Sequence, residues 1–184
     1  MKQSNQEFKV LAAIGIVLVL CVVYMSICAA VEKRIDAYNE TINFPKNMTV
    51  VEKERQLECL TQNIYWEAGN EPFEGKVAVA QVTLNRLHSG EFADTVCGVV
   101  HQKTLVYSKV VCQFSWYCNK ADVRKQYVYQ NEYQESNAVA KKVLLEGFRL
   151  DGMREAMYYH ADYVNPKWGK EKITKIGRHI FYKG

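Results

Sequence analysis

No run of basic residues with interleaved aromatics occurs in this 184-residue sequence, and its formal charge is only +4. The electrostatic footprint of a nucleic-acid binder is therefore missing, and no nucleic-acid partner is expected. Metal-ligand spacing is missing as well. None of the four histidines stands at zinc-site spacing from a cysteine pair, so neither a metal nor a cofactor is expected. There are no repeats and no low-complexity tract, which excludes solenoids and arrays. The length suffices for one domain with a real core plus a short appendage.

The longest stretch without charge is the most conspicuous thing present. Val10 to Val31 contains no charged side chain and is rich in Val, Leu and Ile. About 20 apolar residues cross a bilayer core as a helix, so 10–31 is read as a transmembrane signal-anchor. A cleaved signal peptide with Cys28-Ala29-Ala30 as its small-residue site is the competing reading, but the apolar run exceeds a usual signal core. Residues 1–9 then form a short cytoplasmic tail, 32–48 a polar linker, and 49–184 a domain on the extracytoplasmic side. Cysteine usage agrees. Cys59, Cys97, Cys112 and Cys118 form an even set in an exported domain, with three pairings open to them.

Past the linker, Thr49 is positioned to cap a helix whose apolar stripe Val50, Leu57, Leu60 and Ile64 stops at Ala68-Gly69. Residues 74–87 are apolar nearly all round, as in a buried core helix, and His88-Ser89-Gly90 ends them. Asp94 or Thr95 caps a short helix through Val100. Residues 110–116 read as a strand or extended segment, and 132–146 as a long helix closed by Gly147. Residues 156–160 and 173–182 are β-rich and can pair as an antiparallel ribbon. Helices first and a small sheet later give an α+β domain.

Glu67 is the residue of greatest chemical interest. It stands in Tyr65-Trp66-Glu67-Ala68-Gly69-Asn70-Glu71-Pro72, where the first helix of the domain runs into a turn. A carboxyl at the negative end of a helix dipole, stripped of water by aromatic rings, holds its proton to higher pH, as a general acid needs. A sugar polymer is the natural substrate for such an acid. Glu71 is the nearest second carboxylate. Asn85 and Arg86 close the core helix, with Arg86 able to pair with Glu71 or Asp94. Gln113 and Ser115 alternate with aromatic residues as in a cleft wall. Tyr159, His160 and His179 lie in the β-rich end.

These segments resemble the cell-wall hydrolase family that includes the spore-cortex-lytic enzymes and related phage lysins. The strongest stretch runs from Cys59 through Ile64-Tyr65-Trp66-Glu67-Ala68, Glu71-Pro72, Glu74-Gly75 and Ala78-Val79-Ala80 to Asn85-Arg86. Further matches are Val96-Cys97-Gly98-Val99-Val100, Gln113-Phe114-Ser115-Trp116, Tyr159-His160, Pro166 with Trp168, and Ile176 to Tyr182. The resemblance implies a lysozyme-like α+β fold preceded here by the transmembrane helix. It also implies cleavage of the β-1,4 bond between N-acetylmuramic acid and N-acetylglucosamine, by lytic transglycosylation in the spore enzymes. The family's catalytic glutamate maps to Glu67. Where the family has Arg-Gly this chain has Gly69-Asn70, which keeps a glycine, shifted by one, and lacks the arginine.

A hydrolysing glycosidase needs two carboxylates flanking the bond, whereas a transglycosylase can work with one. The expected roles are therefore Glu67 as sole acid/base, Glu71 as a support for the turn through Arg86, and Gln113, Ser115, Tyr159 and His160 as sugar contacts. Trp116 is the stacking platform, and Asn85, Arg86 and His179 are supporting residues. The expected partners are peptidoglycan glycan strands and the membrane that holds the anchor, with no obligate protein partner. A membrane-tethered module that binds peptidoglycan without cutting it is the alternative. A membrane-anchored interaction protein with a disulfide-braced domain explains the anchor but not the ordered motifs.

Overall fold

The computed structural model describes the backbone of residues 2–41, 48–119 and 129–184, with side chains described from Ile14 and omitted for 34–47. The chain divides into two compact units, Met1–Thr41 and Ile42–Gly184. The first is one helix, α1 (Lys2–Thr41). Its stretch Ile14–Lys33 has a mean hydropathy of 2.8, and none of its residues is buried. That is long and apolar enough to cross a bilayer, and a signal sequence would have the same composition. The expected 32–48 linker falls partly on this helix, and its 42–47 portion lies outside the described residues.

The second unit is helix-rich, with two small antiparallel sheets. Helix α2 (Val50–Ala68) starts where the sequence places its cap, with the Thr49 hydroxyl accepting the Glu52 N–H at 3.2 Å. Helix α3 (Phe73–Ser89) is the central element. Val77, Ala78, Val79, Ala80, Val82 and Leu84 are all fully buried, as expected for a helix apolar on every side. It ends at Gly90, whose φ of 75° is the left-handed cap that glycine adopts without strain. Helix α4 (Val96–His101) is capped by Thr95, which settles the choice between Asp94 and Thr95. Helix α5 (Ser115–Cys118) is a single turn, and α6 (Gln130–Leu144) packs against α2 and α3. Leu60, Ile64, Val77, Leu84, Val99, Val143 and Leu144 meet in the main core. Burying each such side chain contributes about 1.5–3 kcal/mol.

The β regions differ from the sequence reading in two ways. Strands β1 (Lys103–Val106) and β2 (Lys109–Cys112) form a hairpin. Its turn is built by Tyr107 and Ser108, both at positive φ. Such turns ordinarily announce themselves by Asn-Gly or Asp-Gly, so this one left no trace in the sequence. The strand expected over 110–116 stops at Cys112, and Ser115 opens a helix instead. The C-terminal ribbon has three strands, β3 (Ala156–Ala161), β4 (Lys172–Ile176) and β5 (His179–Lys183), with β5 in the middle. Gly177, at φ 55°, turns the chain between β4 and β5 and splits what reads as one strand.

Two disulfides brace the unit, Cys59–Cys97 between α2 and α4 and Cys112–Cys118 across the α5 turn. A third tie joins the turn after α2 to the sheet. Glu71 Oε2 accepts the Arg178 backbone N–H at 2.9 Å. A Cβ on Gly177 would stand 1.8 Å from that same oxygen. Gly177→Ala is therefore expected to displace Glu71 and strain the backbone together, costing about 1–3 kcal/mol. A thermal melt that leaves the midpoint unchanged would contradict this.

Candidate active site

Glu67 is the penultimate residue of α2, so its carboxyl hangs at the end of the helix where unpaired carbonyls gather. The residue keeps some contact with solvent, yet its carboxyl is enclosed. From β3, Tyr159 reaches across and its hydroxyl donates to Glu67 Oε2 at 2.9 Å. Among the described residues Oε1 accepts no hydrogen bond. When Glu67 is neutral, its proton therefore belongs on Oε1, because Oε2 is already the acceptor of the phenol.

Burial pushes the Glu67 pKa up from the ordinary carboxylate range, while the Tyr159 hydrogen bond and the positive charge of Arg86 pull it back. Burial wins. The same enclosure raises the Tyr159 phenol well above its ordinary value, with the Glu67 charge adding to the shift. The phenol is therefore a donor across the whole working range of pH.

Arg86, 4% exposed, is a fixed cation rather than a mobile one. Its Nε donates to Met157 O at 2.8 Å, and its guanidinium lies over the rings of Phe92, Phe114 and Tyr158 at 5.1–5.9 Å. With the Gln113 amide oxygen turned toward it, the two Nη groups donate at 3.1 and 3.3 Å. Burial lowers the Arg86 pKa, opposed by Tyr159, Tyr158 and Glu67, but a guanidinium remains charged under these conditions.

An aromatic wall lies on the α2 and α5 side. Trp66 and Trp116 lie with ring centroids 6.4 Å apart and planes 28° from parallel. Trp116 Nε1 donates to Asn63 Oδ1 at 3.0 Å, and Asn63 in turn donates to Thr83. A hydrogen-bonded indole of this kind is fixed in orientation.

An enclosed, protonatable carboxyl beside a phenol and a buried cation is chemically able to serve as a general acid. The cell wall hydrolase family model matches residues 70–182 of this sequence. The chain belongs to the cell wall hydrolase family. Glu67 lies three residues before the matched segment. The spore cortex-lytic enzyme of Bacillus subtilis is 34% identical over 133 residues, 68% of this chain and 36% of that protein. That of Oceanobacillus iheyensis is 30% identical over 151 residues, 78% of this chain and 45% of that protein. This chain thus spans less than half the length of these relatives. The fold is that of the SleB catalytic domains. The Bacillus cereus domain superposes with a TM-score of 0.52 at 25% identity, covering 78% of this chain and 96% of that one. The catalytic domain of the germination-specific lytic transglycosylase SleB from Bacillus anthracis gives 0.51 at 27% identity, covering 76% of this chain and all of that one.

In this member of the cell wall hydrolase family the expected site residues separate into three groups. Glu67, Arg86, Gln113 and Tyr159 come together. Trp116 lines the aromatic wall, and Ser115 is exposed at the start of α5. Glu71, Asn85 and His160 are occupied elsewhere, and His179 backs the Tyr159 ring. Glu71 is held by the β4–β5 turn and not by Arg86, which corrects the expected pairing: the guanidinium is committed to Met157 and Gln113. Asn85 Nδ2 donates to Met153 O and Ala156 O, pinning the entry to β3. His160 contacts Tyr182 through Nε2 at 2.9 Å. His179 is 8% exposed and packs edge-on against the Tyr159 ring, with centroids 5.1 Å apart. The turn after α2 uses no left-handed backbone at Gly69 or Asn70, so the shifted glycine is tolerated without any special conformation.

The hydroxyl of Tyr159, read from the sequence as a sugar contact, is engaged by Glu67. Asn63, which orients Trp116, carries no sequence signal, because a lone buried Asn at mid-helix belongs to no motif. Tyr159→Phe removes a hydrogen bond that favours the charged form of Glu67, so the Glu67 pKa rises further. An acid that must be protonated stays competent to higher pH. The alkaline limb of the kcat/KM profile should therefore move upward, even as the rate at the optimum falls. An unmoved limb would show that the phenol does not tune Glu67.

Proposed function

We propose that this chain degrades peptidoglycan by cleaving the β-1,4 bond between N-acetylmuramic acid and N-acetylglucosamine, as a lytic transglycosylase with Glu67 as sole acid/base. The observation that carries the reading is the Tyr159–Glu67 pair, with Glu71 drawn away to the β4–β5 turn. Among the described residues that leaves Glu67 as the one carboxyl grouped with Tyr159 and Arg86, and one is what intramolecular transfer requires. The proton on Glu67 Oε1 goes to the glycosidic oxygen as its bond to C1 breaks. The carboxylate so formed accepts the proton of the substrate's own C6 hydroxyl as O6 bonds to C1. Glu67 ends protonated and no water is consumed.

Arg86 has no hydrogen bond to Glu67 and acts on it through charge alone, stabilising the carboxylate between the two half-steps. Trp116 offers its indole face to a sugar ring, and Ser115 and Gln113 are contacts at the same wall. The N-terminal helix serves as a signal-anchor that holds the domain of residues 49–184 at the extracytoplasmic face, within reach of the wall. The membership of the family and the names of the relatives support this reading. A zymogram with purified wall tests it against binding without cleavage: clearing by the wild-type chain and none by Glu67→Gln is the expected result. Equal clearing by both would remove Glu67 from the mechanism, and clearing by neither would favour a binding module.

A further inference from the structure

The outward face of the three-stranded sheet is not the polar surface that an antiparallel sheet ordinarily turns to water. Strand β3 sends Tyr159 inward to Glu67 and the adjacent Tyr158 and His160 outward. Tyr182 joins them from β5, its ring stacked on His160 at a centroid distance of 5.3 Å. Trp168, from the loop between β3 and β4, stands nearly perpendicular to all three rings at 5.5–6.3 Å. It is held on three sides and still 43% exposed. Lys170 Nζ lies 3.7 Å from the centre of the Tyr158 ring.

The mechanism above uses none of these rings. Their surroundings are basic. Between Tyr163 and Gly184 there are five lysines and one arginine against a single acid, Glu171. Lys175 and Arg178 are drawn to Asp162, and Lys183 to Glu155 and Glu171. Lys167, Lys170 and Lys172 form no ion pair among the described residues. One edge of the patch meets the active site, because the Tyr158 ring also lies 5.9 Å from the Arg86 guanidinium.

We infer that this outward face is a second peptidoglycan subsite, in which Trp168 stacks on a sugar ring and Lys170 pairs with a carboxylate of the attached peptide. The inference rests on the proposed function for its ligand. An immobilised, partly exposed indole presents apolar area to the C–H face of a pyranose at little entropic cost. The cations complement the carboxylates of wall peptides, which a neutral sugar polymer lacks. A strand engaged at Glu67 and at Trp168 together is held by two contacts on one polymer, and the second raises the effective concentration of the first.

The test uses the full chain carrying Glu67→Gln, in detergent, co-sedimented with purified sacculi. Adding Trp168→Leu or Lys170→Gln is expected to weaken binding by roughly tenfold each. Only the lysine variant should lose its effect when the sacculi are stripped of peptide. In the active background both variants should raise KM on sacculi and leave kcat unchanged. Unchanged binding by Lys170→Gln, whose side chain carries no core packing, overturns the inference even if the Trp168 variant fails to fold. Wall cleavage by Glu67→Gln at the wild-type rate overturns the proposed function instead, so the two failures are distinguishable.

Discussion

Glu67→Gln is expected to lower wall-lytic turnover by about 10³-fold, within the range that removal of a general acid typically costs. The substitution keeps the shape and an acceptor for the Tyr159 hydroxyl, so the pair at 2.9 Å can persist. What is lost is the proton on Oε1. A glutamine cannot protonate the leaving oxygen, nor take the proton from a C6 hydroxyl afterwards, so both half-steps fail together. Because burial already holds the Glu67 pKa up, replacing the carboxyl by a neutral amide also relieves a desolvated group. The melting temperature should therefore hold or rise while activity disappears. Loss of activity with loss of stability would point to a structural role. The measurement is turnover on purified sacculi beside a thermal melt of the same preparation.

The second large effect concerns the disulfide between Cys59 and Cys97, which lie 38 residues apart. Closing a loop of that length removes about 4 kcal/mol of unfolded-state entropy in the chain-entropy account. The shorter Cys112–Cys118 loop, with a separation of 6, removes about 2 kcal/mol. The first bridge ties α2, which carries Glu67, to α4 through the main core. Both its cysteines are buried there beside Leu60 and Val99. The Cys59→Ala, Cys97→Ala variant should therefore lose about 2–5 kcal/mol, a large part of the stability of a domain this size. The Cys112→Ala, Cys118→Ala variant should lose less. Denaturant unfolding of the two variants checks the order, and the reverse order would contradict the loop-length argument.

The helical scaffold was readable because its signals are local. Thr49 and Thr95 cap where their hydroxyls fall, the all-apolar face of α3 has no alternative to burial, and Gly90 closes α3 with positive φ, while the helix expected to run to Gly147 stops at Leu144. What could not be read depends on contacts far apart in sequence. The β1–β2 hairpin turns on Tyr107 and Ser108, which carry none of the usual turn chemistry. The sheet order places β5 centrally, and its Phe181 meets Ala78 and Val82 of α3 about 100 positions earlier in the chain.

The site divides along the same line. Glu67 stood out because an acid at a helix end among aromatic residues is unusual in itself. The partners of Arg86 and Glu71 were misread because both find backbone groups more than 70 residues away, at Met157 and Arg178. Cysteine parity gave an even set but no pairing, since four thiols carry no geometry until the helices are placed.

In the proposed mechanism one carboxyl, Glu67, cleaves the glycan by intramolecular transfer. Mass spectrometry of the soluble products from sacculi digested in water enriched in oxygen-18 tests it most directly. Intramolecular transfer yields muropeptides ending in 1,6-anhydro-N-acetylmuramic acid, with no oxygen-18 at the new end. Reducing ends that carry the label would contradict it, because water and not the C6 hydroxyl would then have attacked C1.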